Sequence, residues 1–433
     1  MELEEDMNDA SKKTRKELIW QAQAREGSAD LSTACISTRV TAAVLFGLAT
    51  MLRPFGQLRI GLLHHQAMGR LYGNTEYFLR LRAFRSPNRR EIVTLISGPR
   101  PVNGQILKML KRRVRVFESG YLRRVLEDIR QHSFDHPIWI DLECTGWLRG
   151  SEWYDPGPQL SFTAEEHARG QSILRELGVR EGQQHVCVFA KDKGYSDNPD
   201  NPPDPDGFWA KNDFRNCDIY DFVPALEFLA GQGFKVFRMG IHAPEAMLPD
   251  GLPPEIVDYT AKVRPTLDDP DFVDTYLQAT CKFFVGCTSG VYILSAMFDR
   301  PIASTNMVPY GECGRGLRDI FLVKTCRDRA SGDLIPIPRL IEMGLDADWL
   351  TQKELEDLDQ AGIEFVDNSP EEILELVQEM NLRIDGRWIE EPDDEALQAR
   401  FREISPTKCF DGKPFPGRPG AAFLRRYRAL LAG

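Results

Sequence analysis

The stretch FFVGCTSGVYILSAMF, residues 283–298, governs the reading of the whole chain. An apolar run suited to a buried strand stops at Thr288-Ser289-Gly290, and apolar residues then return at helical spacing in GVYILSAMF. A strand passing into a helix through small hydroxyl residues gathers hydroxyls and free backbone N–H groups at one point, with the helix dipole behind them. That arrangement suits a phosphate, and it equally suits a plain N-cap with a glycine turn.

The same alternation extends in both directions. HVCVFAKD (185–192), FKVFRMG (234–240), PEIVDYT (254–260), KFFVGC (282–287) and PIASTN (301–306) read as strands. Between them IYDFVPALEFLAGQG (219–233), DFVDTYLQATC (271–281) and GVYILSAMF (290–298) read as helices. Earlier, LRIGLLHH, REIVTLIS, VRVFES and PIWIDL read as strands, with helices in YGNTEYFLRLRAF, GQILKMLKRR and YLRRVLEDIRQH. Strands alternating with helices imply parallel sheets, here two doubly wound α/β units in tandem, as a chain of 433 residues allows.

The expected divisions are an N-terminal extension (1–57), a first α/β domain (58–160), a second (161–405) and a basic C-terminal helix (406–433). The Gly- and Pro-bearing loop at 148–160 is the expected crossing, followed by a helix capped by Thr163 with Glu166 three residues on. YSDNPDNPPDPDGFW (195–209) can form neither periodic structure. EEILELVQEMNLRIDGRW and DDEALQARFREI read as two late helices.

Charge narrows the function. With 54 Lys and Arg against 65 Asp and Glu the net charge is −11, which excludes broad attraction to a nucleic acid polymer. An anionic ligand needs a local basic pocket. Nine cysteines, odd in number and without a CxxC pair, fit reduced thiols in a cytoplasmic protein. The N-terminus lacks the basic region of a secretion signal. The apolar run TAAVLFGLATML (41–52) is shorter than the roughly 20 residues that span a bilayer, so it is expected as a packed helix or one lying on a membrane surface. GAAFLRRYRALLA, with Arg425, Arg426 and Arg428, offers either a second peripheral membrane contact or a brace for the N-terminal domain.

In open parallel sheets ligands bind at the carboxyl ends of strands. That rule selects Lys191, Asp192 and Lys193 after HVCVFA, Arg238 after FKVF, and Thr288-Ser289-Gly290. Arg215, among Asn212, Asp213, Asn216 and Asp218, follows the long loop. Together they describe a basic pocket fit for a diphosphate. No GxGxxG follows the first strand and no GxxxxGK[ST] occurs, so NAD and ATP are not expected. His, Cys, Asp and Glu show no metal spacing, and no cofactor is expected. Candidates for a general base are His65 (with its neighbour His64) and Glu76, with Asp192 and Asp213 as competitors.

The segments VCVFAKDKGY, NDFRNCDIYDFVPALEFLAGQGFKVFRMG, IVDYT, FVDTYLQATCKFFVGCTSGVYILSAMFDRPIASTN and GIEFVDNSPEEILELVQEM resemble, in order and spacing, a bacterial family of glycosyltransferases found among surface-polysaccharide genes. The resemblance covers residues 58–404 and is densest over 186–306. It implies a GT-B architecture, two Rossmann-like doubly wound domains facing across a cleft, and a metal-independent transferase. Such an enzyme moves a sugar from a nucleotide-sugar donor to a saccharide or lipid-linked acceptor in the cytoplasm; peripheral contact with the inner membrane is the option left open by the run 41–52 and the C-terminal helix, not by the resemblance. It also implies donor contacts from Arg215, Asn216, Arg238, Thr288, Ser289 and Gly290. Lys191 would join them at the diphosphate, and Asn306 would help hold the sugar or ribose. Where the family has Gly-His near the first helix, this chain has Gly69-Arg70. The alternatives are a saccharide-binding protein without turnover and a sugar-nucleotide epimerase.

Overall fold

A computed structural model describes residues 34–85, 90–142, 151–194, 210–241, 246–312, 316–347, 350–404 and 416–432; the irregular loop at 195–209 lies outside them. The chain forms two compact units, Met1–Phe162 and Thr163–Gly433.

In the first unit the elements run α1 (Ile36–Leu52), β1 (Gln57–Leu62), α2 (Thr75–Phe84), β2 (Glu91–Ser97), α3 (Gly104–Lys111), β3 (Arg115–Glu118), α4 (Gly120–Gln131), β4 (Trp139–Ile140) and α5 (Ser151–Tyr154). The strands are all parallel, in the order β3-β2-β1-β4. Side chains of Asn103 and Ser119 cap α3 and α4, each accepting a backbone N–H of the first turn, so polar residues at strand exits start the helices. Ile60, Leu62 and Ile96 from the sheet pack with Leu126 and Ile129 of α4 and Ala42 of α1. Two expectations need adjustment. Strand β1 ends at Leu62, so His64 and His65 lie in the loop beyond it. The apolar run 41–52 belongs to a longer helix that, among the described residues, packs through one face.

The second unit runs α6 (Ala164–Glu176), β5 (His185–Phe189), α7 (Val223–Gly231), β6 (Lys235–Arg238), β7 (Ile256–Val257), α8 (Pro270–Thr280), β8 (Phe284–Gly286), α9 (Tyr292–Met297), β9 (Ile302–Met307) and β10 (Ile320–Val323). It continues through β11 (Thr325–Asp328), α10 (Ile337–Glu342), α11 (Gln352–Gln360), β12 (Ile363–Val366), α12 (Pro370–Ile384), α13 (Asp394–Ile404), β13 (Arg418–Pro419) and α14 (Ala421–Arg426). Thr163 and Glu166 form the reciprocal capping box expected at α6. Seven parallel strands follow the order β13-β10-β9-β8-β5-β6-β7. From β5 the chain steps outward through β6 and β7, then returns to β8 and steps the other way through β9 and β10. Right-handed crossovers in opposite directions put the helices on opposite faces, which makes the sheet doubly wound with its reversal between β5 and β8.

The antiparallel pair β11-β12 is an addition the alternation does not announce. The C-terminal helix packs within the second unit, where Phe423 and Leu424 join its core. Arg425 pairs with Asp394 and Glu391, Arg426 with Glu375 and Arg428 with Asp393. Helix α14 therefore braces the second unit, and its arginines are matched by carboxylates.

Candidate functional site

The reversal point of the second sheet gathers most of the cations singled out above. Buried apolar residues carry β5 through the core, and Lys191 follows two residues after its end. Strand β8 ends at Gly286, where a β-carbon would stand 2.7 Å from the carbonyl oxygen of Phe189, so glycine lets β5 and β8 close up. Just beyond, the backbone N–H of Lys191 donates to Cys287 Sγ at 3.1 Å. The Lys191 carbonyl accepts from the N–H of Cys217 at 2.9 Å, which ties the Asp213–Asn216 turn to the same place.

Asn216 is held from two sides. Lys191 Nζ donates to its Oδ1, and Lys324 Nζ donates to its backbone oxygen at 2.8 Å. Its own Nδ2 donates to Asp213 Oδ1 at 3.1 Å. Lys324, placed by the end of β10, also pairs with Asp367 Oδ1 at 2.5 Å. Burial, and next the adjacent Arg215, pull the Lys191 ammonium below the usual lysine range. Lys191 and Arg215 thus form a partly buried cationic pair at the carboxyl edge, whose repulsion an incoming anion relieves, and Lys324, held to the same Asn216 and carrying its own counter-ion in Asp367, adjoins them. Lys324 escaped the sequence reading, although the run IFLVK bears the same signature as VFAK: a buried strand ending in lysine.

The other donor-site candidates are engaged in different ways. Thr288, buried beside Cys287, donates its hydroxyl to Met307 Sδ at 3.3 Å. Ser289 Oγ accepts from the N–H of Val291 at 3.3 Å. Helix α9 starts only at Tyr292 and is six residues long, so its dipole behind Gly290 is short. Arg238 is buried, with Nη1 donating to the Ala246 carbonyl at 2.5 Å and to Asp258 Oδ2 at 3.2 Å, and with Asp192 at 3.8 Å. Its charge is already matched by two carboxylates, so the geometry gives it a structural ion pair. Asn306 is fully buried in the left-handed region (φ 51°) and exchanges hydrogen bonds with Asn368 at 2.6 and 2.7 Å. Its Nδ2 has neither a protein partner nor solvent.

In the first unit, His65 follows β1, and its carbonyl accepts from the N–H of Val102 at 2.7 Å. The imidazole fills the space left by Gly98, whose β-carbon would lie 2.3 Å from Nε2. Burial first, then the charge of Arg123, lower the His65 pKa, so the ring is a neutral base near pH 7. Glu76 differs from the expectation of a base. It is fully buried, and its Oε1 accepts from Arg80 Nε at 2.9 Å and from the N–H of Gln159 at 2.7 Å. Arg80 lies over the Trp153 ring at 3.9 Å and donates to its carbonyl at 2.7 Å. Protonating Glu76 would strip Arg80 of its counter-ion in a dry place, so the pair braces α2 against residues 153–159.

Among the described residues no three His, Cys, Asp or Glu side chains are grouped as a metal site requires. No protein-family model matches the chain, and no curated protein matches it in sequence. Among solved structures, the chain is similar to a glycosyl transferase family 9 protein from Veillonella parvula, with 10% identity over 57% of this chain and 80% of that one and a TM-score of 0.36. It is similar to the ADP-heptose LPS heptosyltransferase II of E. coli, with 12% identity over 57% and 84% and a TM-score of 0.36. It is also similar to the iron-containing dodecameric glycosyltransferase TibC from enterotoxigenic E. coli H10407, with 14% identity over 57% and 60% and a TM-score of 0.29.

Proposed function

We propose that the chain is a GT-B glycosyltransferase that takes a sugar from a nucleotide-sugar donor and passes it to a saccharide or lipid-linked acceptor. The observation that carries this reading is the cluster of Lys191, Arg215 and Lys324 at the reversal point of a doubly wound sheet. Sheets of this kind bind ligands at that crevice, and the cluster answers the charge of a diphosphate.

Departure of a nucleoside diphosphate leaves negative charge on its terminal phosphate. Cations already held in place stabilise that charge without reorganising, so this part of the reaction needs no metal. The Thr288-Ser289-Gly290 turn beside Cys287 offers backbone donors to one phosphate. Asn306, proposed for a ribose or sugar hydroxyl, keeps unused amide hydrogens but is fully buried, so it serves a ligand only where binding opens the Asn306–Asn368 contact. Of the two expected bases, His65 fits better, since it is neutral where Glu76 is spent on Arg80. A lipid-linked acceptor would bring the protein to the membrane surface.

Incubation of the protein with a panel of ADP-, GDP-, UDP-, dTDP- and CMP-sugars, followed by NMR, tests the reaction. Release of the nucleotide with slow sugar hydrolysis is the expected result, and its loss in Arg215→Ala is expected too. An epimerised sugar nucleotide would replace this reading with the epimerase, and binding without any turnover would replace it with a binding protein.

A further inference from the structure

Helix α1 has two apolar faces, and the described residues pack against only one of them. On the inner face Ala42, Leu45, Phe46 and Ala49 pack against Ile60, Leu126, Ile129 and Trp139. The ring of Phe46 stacks on His136 at 4.0 Å, and the Thr38 hydroxyl donates to Asp128. The outer face carries Ile36, Val40, Val44, Leu48 and Met51, each between 51% and 79% exposed, and Phe55 follows just past the helix end. At 3.6 residues per turn these five side chains fall within about a third of the helix circumference. A helix lying on a soluble unit ordinarily turns a polar face to water there.

The local charge points the same way. From residue 31 to residue 75 the chain has no Asp or Glu and four arginines, Arg39, Arg53, Arg59 and Arg70, although its net charge is −11. Arg39 and Arg53, both exposed, lie near the two ends of the stripe. An apolar stripe bordered by cations is the composition of a helix that lies in a membrane interface, with its apolar side chains among acyl chains and its cations among acidic headgroups.

We propose that the outer face of α1 docks the first unit onto an anionic lipid bilayer. The helix lies along the surface rather than crossing. Its 17 residues give about 25 Å against a hydrocarbon core of about 30 Å, and its inner face is already packed. No helix among the described residues is long and apolar enough to span. A second copy is the poorer fit, because five side chains fall short of the roughly 20–30 residues a side that a stable protein interface uses. The inference stands apart from the donor-site reading and survives its failure.

The test is flotation of the full chain with vesicles of phosphatidylcholine alone and of phosphatidylcholine mixed with phosphatidylglycerol. Binding to the acidic vesicles is expected, weakened by salt. The double variant Val44→Asp, Leu48→Asp should lower the bound fraction about tenfold or more, with the thermal transition and nucleotide binding unchanged because both sites are exposed. Ile389→Asp, an exposed apolar site of the second unit, should bind like the parent. Absence of binding, equal binding to both vesicle types, or an unaffected double variant would overturn the proposal. So would binding that appears only after residues 1–33 are removed, since the chain's own segment would then cover the stripe. A lipid-free dimer dissolved by the same double variant would overturn it in favour of a second copy.

Discussion

An ammonium group held partly buried beside a guanidinium is destabilised in its charged form, and Lys191 is that group. A diphosphate prefers the protonated lysine, so affinity is fully present below the depressed pKa and falls as pH rises through it. Calorimetric affinities measured across alkaline pH should show this loss in the parent and a flatter profile in Lys191→Ala. His185 tests stability in the same way. Buried against the Leu277 carbonyl at 2.8 Å, its pKa is pushed down to about 4 by burial. The unfolded chain has an ordinary histidine near 6.5, so its stabilising contribution is complete above that pH and is lost as pH falls towards 4. Asp274 and Asp319, raised to about 6 by burial, act with the opposite sign in this window. The useful quantity is therefore the difference between parent and His185→Gln. Urea unfolding should show that the parent loses roughly 3 kcal/mol more than the variant between about pH 6.5 and pH 4.

At the scale of the element, Gly286 marks where β5 and β8 close on each other. Gly286→Ala puts a β-carbon 2.7 Å from the Phe189 carbonyl oxygen and 2.8 Å from the Phe284 ring. Urea unfolding should show a loss of about 1–3 kcal/mol, and nucleotide affinity should fall with it because Lys191 is tied to Cys287 across that seam. The capping box at α6 gives a milder case, with Thr163→Ala expected to cost about 1 kcal/mol. The alternation of apolar runs and amphipathic stretches made most of the elements legible, because strands of a parallel sheet are buried on both faces and read as unbroken apolar runs. IFLVKTCRD hid two strands, since β10 and β11 are separated by Lys324 alone. Lys324 was lost with them. The ion pairs were equally hidden: Asp258, which claims Arg238, lies 20 residues further along the chain, and no periodicity links them. Glu76 and Arg80 do stand at helical spacing, but the burial that makes them a brace depends on Trp153, far along the chain.

For the molecule as a whole, an excess of acidic residues coexists with local concentrations of positive charge. One is the cluster at the carboxyl edge of the second sheet, and another is the acid-free stretch that carries α1. A net negative surface repels polyanions, so any anion that binds must do so through specific geometry rather than long-range attraction. The most direct measurement is therefore isothermal calorimetry with ADP, GDP, UDP, dTDP and CMP on the parent protein and on Lys191→Ala and Lys324→Ala. At least one of these nucleotides is expected to bind the parent, and each variant to bind it roughly tenfold to a hundredfold more weakly while keeping its fold. No binding of any of them at millimolar concentration, or undiminished affinity in both variants, would contradict it.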